Sequence, residues 1–262
     1  MSKAGCHGCR SPEPLPFDFT MAFQPIVDVN QNRIWGYEAL VRGFEGQGAG
    51  WVLDQVDELN RYKFDQACRV RAIELAGSLF LDDDTRLSIN FMPNAVYEPA
   101  ACIRATLEAA RRVGFANRQL MFEFTENERM LDVSHVQRII AEYRKQGFLT
   151  ALDDFGAGYA GLNLLASFQP DLIKLDIELI RGIASSHARQ VIVAGVATMA
   201  RELGITILAE GVETDAELTA LRAAGIRLFQ GYLFAKPALA GLPQVRFPGS
   251  CATATIEATK VA

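Results

Sequence analysis

Along the chain, short apolar stretches rich in β-branched and aromatic residues alternate with longer stretches whose apolar residues return every three or four positions. The first kind covers Ala22 to Val29, Ile34 to Val41, Leu87 to Met92, Gln119 to Thr125, Phe148 to Asp153, Leu172 to Ile177, Thr206 to Ala209 and Arg227 to Leu233. The second kind comprises WVLDQVDELNRYKFDQACRVRAIELAGSLF, AACIRATLEAARRV, SHVQRIIAEYRKQG, YAGLNLLASF, SSHARQVIVAGVATMARELG and DAELTALRAAG. Gly114, Gly147, Gly204 and Gly225 stand where these helices are expected to stop. Strand and helix in repeated alternation predict parallel strands joined by right-handed crossovers, and eight such strands predict a barrel. The first two strands break the rule. Only a short turn through Asn30 to Asn32 separates them, which suffices for an antiparallel turn and not for a parallel crossover. The expected fold is therefore α/β, a modified (β/α)8 TIM-like barrel with one antiparallel strand.

At 262 residues, with 50% hydrophobic and 22% charged, the chain can bury a large core, which excludes disordered and fibrous classes. No low-complexity linker divides it. The reading is a flexible Pro- and Cys-containing leader over residues 1–18, one domain over residues 19–245 and a loose tail over residues 246–262. No apolar run is long enough to span a bilayer, and the opening residues lack the apolar centre of a signal peptide, so no membrane partner and a cytoplasmic location are expected. Five cysteines, at 6, 9, 68, 102 and 251, make no disulfide framework, and Cys68 and Cys102 read as core. A net charge of -5 without a basic block argues against duplex nucleic acid as a partner.

The polar residues fall at strand ends. Glu38, Asn90, Glu123, Asp153 with Asp154, Lys174 with Asp176, Glu210 and Gln230 each lie in or just after a different predicted strand. One such residue is ordinarily a helix cap or a surface charge. Seven strands marked this way outline the face that carries the active site in a parallel barrel. Glu38, Asn90, Glu123, Asp153 and Asp154 offer hard oxygen ligands with no cysteine or histidine near them in sequence, a set that selects Mg2+ or Mn2+. If the strand ends at Asp153, the glycines after Phe155 let the chain turn and both aspartates reach one two-metal site. The carboxylates of Glu38, Glu123, Asp153, Asp154 and Glu210 outweigh Lys174 and Arg42, so the bare site repels a phosphodiester. Two divalent cations reverse that sign. Lys174 is placed to orient an attacking water.

The ordered segments AFQPIVD, GYEALVRG, SINF, FEFTE, LDDFGAGYAGL, DLIKLD, AEGVET and FQGYLFAKP resemble the EAL-domain phosphodiesterases over nearly the whole domain. The resemblance implies an antiparallel first hairpin, two Mg2+ or Mn2+ ions per site, and hydrolysis of cyclic di-GMP to linear pGpG. It further implies Glu38, Asn90, Glu123 and Asp153 as metal ligands, with Asp153 bridging and Asp154 serving the second ion. Lys174 would hold the nucleophilic water, and Glu210 would support the second ion through water and act as general base; Lys174, Glu210 and Asp154 thus form the catalytic set. Arg42, Glu213, Gln230 and Tyr232, together with Lys174 and Glu210, resemble the family's substrate contacts. Glu126 would stabilise the loop from Phe155 to Gly161, which in the family couples homodimer contacts to the metal site. Ala160 and Gly161 replace two serines common in the family, and Met92 stands where a serine is common.

Other readings compete. GAGYAG, residues 156 to 161, follows a strand, precedes a helix and has Asp176 about 20 residues on, as in an NAD-binding turn. Against it, Asp153 and Asp154 would face the pyrophosphate without a counter-charge. The DFG at residues 154 to 156 lacks the other parts of a kinase. A catalytically silent EAL-like receptor or partner-binding module would be expected to lose ligands, and every one is present. Cys6, His7 and Cys9 read as a leader with incidental cysteines, His135 as an early helix residue and His187 as a surface one.

Overall fold

The protein is described by a computed structural model over residues 15–80, 82–125, 133–158 and 161–248. Thr20–Asp28 (β1) and Arg33–Arg42 (β2) form the expected hairpin, antiparallel from Thr20 opposite Arg42 to Asp28 opposite Arg33. Its turn is set by Asp28, whose Oδ1 accepts from the backbone N–H of Asn30 at 3.0 Å and of Gln31 at 3.1 Å. Arg86–Asn90 (β3), Leu120–Thr125 (β4), Leu149–Phe155 (β5), Leu172–Leu175 (β6), Thr206–Ala209 (β7) and Leu228–Phe229 (β8) follow in spatial order. Each is parallel to the one before it, starting from β2. β8 pairs antiparallel with β1 through Val27 and Asp28 and closes an eight-stranded barrel in which β1 is the reversed strand. A short Ala238–Leu239 (β9) continues along the same edge of β1 beside Ala22 and Phe23.

The helices are Ala49–Leu53 (α1), Arg61–Leu79 (α2), Pro99–Cys102 (α3), Arg104–Val113 (α4), Val133–Lys145 (α5), Gly161–Ser167 (α6), Ile177–Ile180 (α7), His187–Glu202 (α8) and Asp215–Ala223 (α9). The glycines expected as stops have positive φ, from 71° at Gly204 to 87° at Gly225, where a Cβ would be strained. The helical stretch from Trp51 to Phe80 is not one helix. Asp57 Oδ1 accepts from the N–H groups of Leu59 and Asn60, both at 2.9 Å, while Asn60 Oδ1 accepts from Asp57 N–H at 3.0 Å. These side chains compete for the backbone and separate α1 from α2. The strand expected to reach Ile177 ends at Leu175, because Asp176 instead caps α7, accepting from Glu178 N–H at 2.8 Å.

Two apolar layers result. Ile26, Trp35, Met121, Ala151, Leu172, Leu208 and Leu228 fill the barrel. The larger core lies between sheet and helices and includes Phe91, Phe122, Tyr143 and Phe148, packed ring on ring, with Cys68 and Cys102 buried as expected. Full burial of each such side chain contributes about 1.5–3 kcal/mol. Leu15 and Phe17 before β1, and Val245 and Phe247 after β9, pack against this core. Among the described residues no helix is long and apolar enough to cross a membrane.

Candidate active site

Side chains on a strand alternate, so residues two apart point the same way. Met121, Ala151, Leu172, Leu208 and Leu228 in the barrel's apolar filling are each two positions before Glu123, Asp153, Lys174, Glu210 and Gln230. The polar set is therefore the next layer up, at the C-terminal ends of the parallel strands, and it rests on a buried apolar floor. On the hairpin, Gln24 lies opposite Glu38 in register.

Lys174 is at the centre of this layer. It is 1% exposed, and its ammonium contacts Glu210 Oε1 at 2.7 Å, Asp153 Oδ1 at 3.0 Å and Glu38 Oε1 at 3.6 Å, as well as Glu123 Oε2. Burial opposes its charge, but Asp153, Glu123, Glu210 and Glu38 together hold it protonated well above the ordinary lysine range. One ammonium does not satisfy this many carboxylates. Burial first, and then Glu38 and Asp153, push the Glu123 carboxyl well up despite Lys174, and Glu210 is pushed well up in the same way by burial, Asp153, Glu38 and Glu123. Asp154 is raised to about 6 by burial, Asp153 and Asp176. Glu123 Oε1 is buried with no hydrogen-bond partner. Amide donors supply part of the deficit: Gln230 Nε2 donates to Glu38 Oε2 at 2.6 Å and to Gln24 Oε1 at 3.1 Å, and Asn90 Nδ2 donates to Glu38 Oε1 at 3.0 Å.

The aspartate doublet reaches the site differently from the expectation. The strand does not end at Asp153; β5 runs on to Phe155, with its register against β6 broken between Leu152 and Phe155. Asp154 adopts φ +55°, a left-handed conformation uncommon outside glycine and enriched in Asp and Asn. This bulge cancels the alternation that would send the two carboxylates to opposite faces. Asp154 N–H donates to Asp153 Oδ1 at 3.0 Å.

Two groups of carboxylate oxygens follow, each with its ligand atoms within 4.8 Å of one another: Glu38, Glu123 and Asp153, and Asp153, Asp154 and Glu210. Asp153 belongs to both. The site opens into a cavity of about 500 Å³ whose lining includes Gln24, Asp176, Arg181, Glu213, Gln230 and Tyr232. The structure thus brings Glu38, Asn90, Glu123, Asp153, Asp154, Lys174, Glu210 and Gln230 together, with exposed Glu213 and Tyr232 on the rim. Arg42 ends β2 outside this lining, its Nη1 donating to Val41 O at 2.7 Å. Glu126 lies outside the described residues. Gln24 and Arg181 were not singled out in the sequence. Pairing of Gln24 with Glu38 across the hairpin was the available signal for the first, whereas Arg181 follows a four-residue helix and has none.

A sequence model described as the EAL domain matches residues 17–237. The chain belongs to the EAL domain family. This EAL chain is 54% identical to a standalone versatile EAL protein from Vibrio cholerae O395 solved in a c-di-GMP-bound form, with TM-score 0.86 over 89% of this chain and 98% of that one. It is 38% identical to Klebsiella pneumoniae BlrP1, solved as a manganese/cyclic-diGMP complex, with TM-score 0.82 over 90% of this chain and 60% of that one. Among curated relatives it is 35% identical to the blue light- and temperature-regulated antirepressor BluF of Escherichia coli K12, over 87% of this chain and 56% of that protein. It is 30% identical to the cyclic di-GMP phosphodiesterase NbdA of Pseudomonas aeruginosa, over 82% of this chain and 28% of that protein. The chain therefore spans about half or less of the length of these curated relatives.

Proposed function

We propose that this EAL domain is a two-metal phosphodiesterase that hydrolyses cyclic di-GMP to linear pGpG. The observation that carries the reading is Asp153, shared between two carboxylate groups that surround one buried ammonium. The donor set fits hard divalent cations: all ligand atoms are oxygens, Glu123 Oε1 is buried without a partner, and the charge on Lys174 falls short of the carboxylates around it. Glu38, Asn90, Glu123 and Asp153 would hold one Mg2+ or Mn2+, and Asp153, Asp154 and Glu210 the other. Bound ions supply the Lewis acidity that draws an anionic ester into the site and makes water nucleophilic.

The chain's own groups do the rest. Lys174 Nζ orients the attacking water by donating to it. Glu210, whose Oε1 lies 2.7 Å from the Lys174 ammonium, is the general base that takes its proton. Gln230 is fixed by Gln24 and Glu38 at the cavity wall, while Glu213 and Tyr232 on the rim, and Arg42 at the end of β2, meet the nucleotide. The same reading includes a homodimer through α6, where Leu162 is 64% exposed, tied through Glu126 to the loop before it, within a domain spanning residues 19–245.

A second reading has one observation behind it. BluF is named an antirepressor, so an EAL chain can act through a partner. Incubating the purified protein with cyclic di-GMP and Mg2+ separates the two: pGpG supports the phosphodiesterase, and intact cyclic di-GMP bound without turnover supports the receptor.

A further inference from the structure

Outside the barrel, a buried ionic cluster lies directly behind one of the proposed metal ligands. Asp65 and Arg69 on α2 are 2% and 0% exposed and pair at 2.6 Å. Arg69 Nη1 donates to the hydroxyl of buried Tyr143 on α5 at 3.3 Å. The second oxygen of Asp65 accepts from the backbone N–H of Met92 at 2.9 Å, and Met92 is two residues after Asn90. Between them, Phe91 N–H donates to Glu123 O on β4 at 2.9 Å.

Packing on this side is incomplete. A cavity of about 730 Å³ opens between β1 to β3 and the α1–α2 pair, lined among others by Ala39, Phe64, Asp65, Asn90 and Met92. Phe91 is anchored on the core side by the rings of Phe122, Phe124 and Tyr143, and on the cavity side the Asp65 carboxylate adds a polar hold on the chain beyond Asn90. A buried ion pair adds little net stability, because desolvation offsets the attraction. Its value here is directional: Arg69 aims the carboxylate so that one oxygen is left for Met92.

We propose that Asp65 is a positioning residue of the metal site, holding Asn90 at its post through the Met92 N–H, with Arg69 and Tyr143 holding Asp65. The proposal rests on the two-metal reading given above. It is tested with two double variants, Asp65→Asn with Arg69→Met and Asp65→Leu with Arg69→Met. Both remove the ion pair, and they differ in whether position 65 offers Met92 an acceptor. Mn2+ affinity is measured by titration calorimetry without nucleotide, alongside thermal melts.

The expected result is Mn2+ affinity near wild type for the Asn pair and about ten-fold weaker for the Leu pair, as for other supports of metal ligands. In an Asn90→Ala background the two pairs should bind Mn2+ alike, since nothing remains to be positioned. A purely structural role would lower the melting temperature and leave this cycle additive. Equal Mn2+ affinity for the two pairs, with wild type binding and Asn90→Ala weakened, overturns the proposal alone. Absence of Mn2+ binding by the wild type, or no effect of Asn90→Ala, overturns the two-metal reading and the proposal with it. If the Leu pair does not fold, hydrogen exchange of the wild-type peptide across Asn90 to Met92 decides. Protection that rises with Mg2+ supports the coupling, and unchanged protection refutes it.

Discussion

Replacing Lys174 with methionine keeps most of the side chain's volume and removes its charge. The ammonium is 1% exposed and lies within 3.6 Å of Glu38, Asp153 and Glu210, besides its contact with Glu123. Deleting one partner of a buried ion pair costs about 3–5 kcal/mol, because the other charge is left uncompensated. Proton uptake by carboxyls already pushed upward, Glu123 and Glu210 above all, relieves part of that repulsion and points to the lower end, about 3 kcal/mol. For a chain of this size that is roughly 6–12 °C of melting temperature. Urea unfolding at pH 7.5 should show this loss with EDTA present. With excess Mn2+ most of it should return, because cations supply the charge that the ammonium supplied. Hydrolysis should still be slowed at least about 100-fold, since no ion orients the attacking water as Lys174 does, while cyclic di-GMP binding remains measurable. An equal stability loss with EDTA and with Mn2+ would refute the reasoning, because the carboxylates would then not form one electrostatic unit with a cation.

Glu38→Ala removes a proposed ligand together with the partner of Asn90 and Gln230, so hydrolysis should fall to background and a Mn2+ titration should show weaker binding. Ca2+ alone should support little turnover, given its longer and more variable coordination, as a steady-state assay with each ion would show. Glu217 accepts from the N–H groups of Gly182, Glu213 and Thr214 at 3.3, 3.1 and 3.1 Å; burial opposes its charge, but these bonds hold its carboxyl below the ordinary value. Its folded-state value is depressed, so the stability it contributes is present above the ordinary glutamate range and is lost as pH falls. Glu217→Gln should cost about 1 kcal/mol at pH 7 and almost nothing near pH 3, by urea melts at the two values. Gly231→Ala places a Cβ 2.1 Å from Val212 O, a backbone atom that cannot yield cheaply, and should cost about 1–3 kcal/mol while displacing Gln230 and Tyr232 and raising KM for cyclic di-GMP.

Much of this was legible along the chain because a barrel repeats one local rule. Short apolar stretches and helices stopped by Gly114, Gly147, Gly204 and Gly225 located β1 to β8, and the short first turn through Asn30 to Asn32 revealed the reversed strand. Position at the ends of those strands brought out Glu123, Asp153, Lys174 and Glu210, and the structure puts each in step with an apolar residue of the barrel filling. What stayed hidden depends on departures from the rule or on distance. The bulge at Asp154 inverts one residue's side without a mark in the local pattern, and the break between α1 and α2 comes from reciprocal Asp57–Asn60 bonds inside an unbroken helical periodicity. β9 is two residues long, too short for a period. Asp65 reads as one more polar residue of a helix until the fold places Met92, 27 residues later, against it.

In the proposed two-metal site, Asp153 would hold both cations. Anomalous diffraction at the manganese edge, from crystals grown with Mn2+ and cyclic di-GMP, tests it most directly. Two peaks should flank Asp153, one against Glu38, Asn90 and Glu123 and the other against Asp154 and Glu210. A single peak, or none in contact with Asp153, would contradict it.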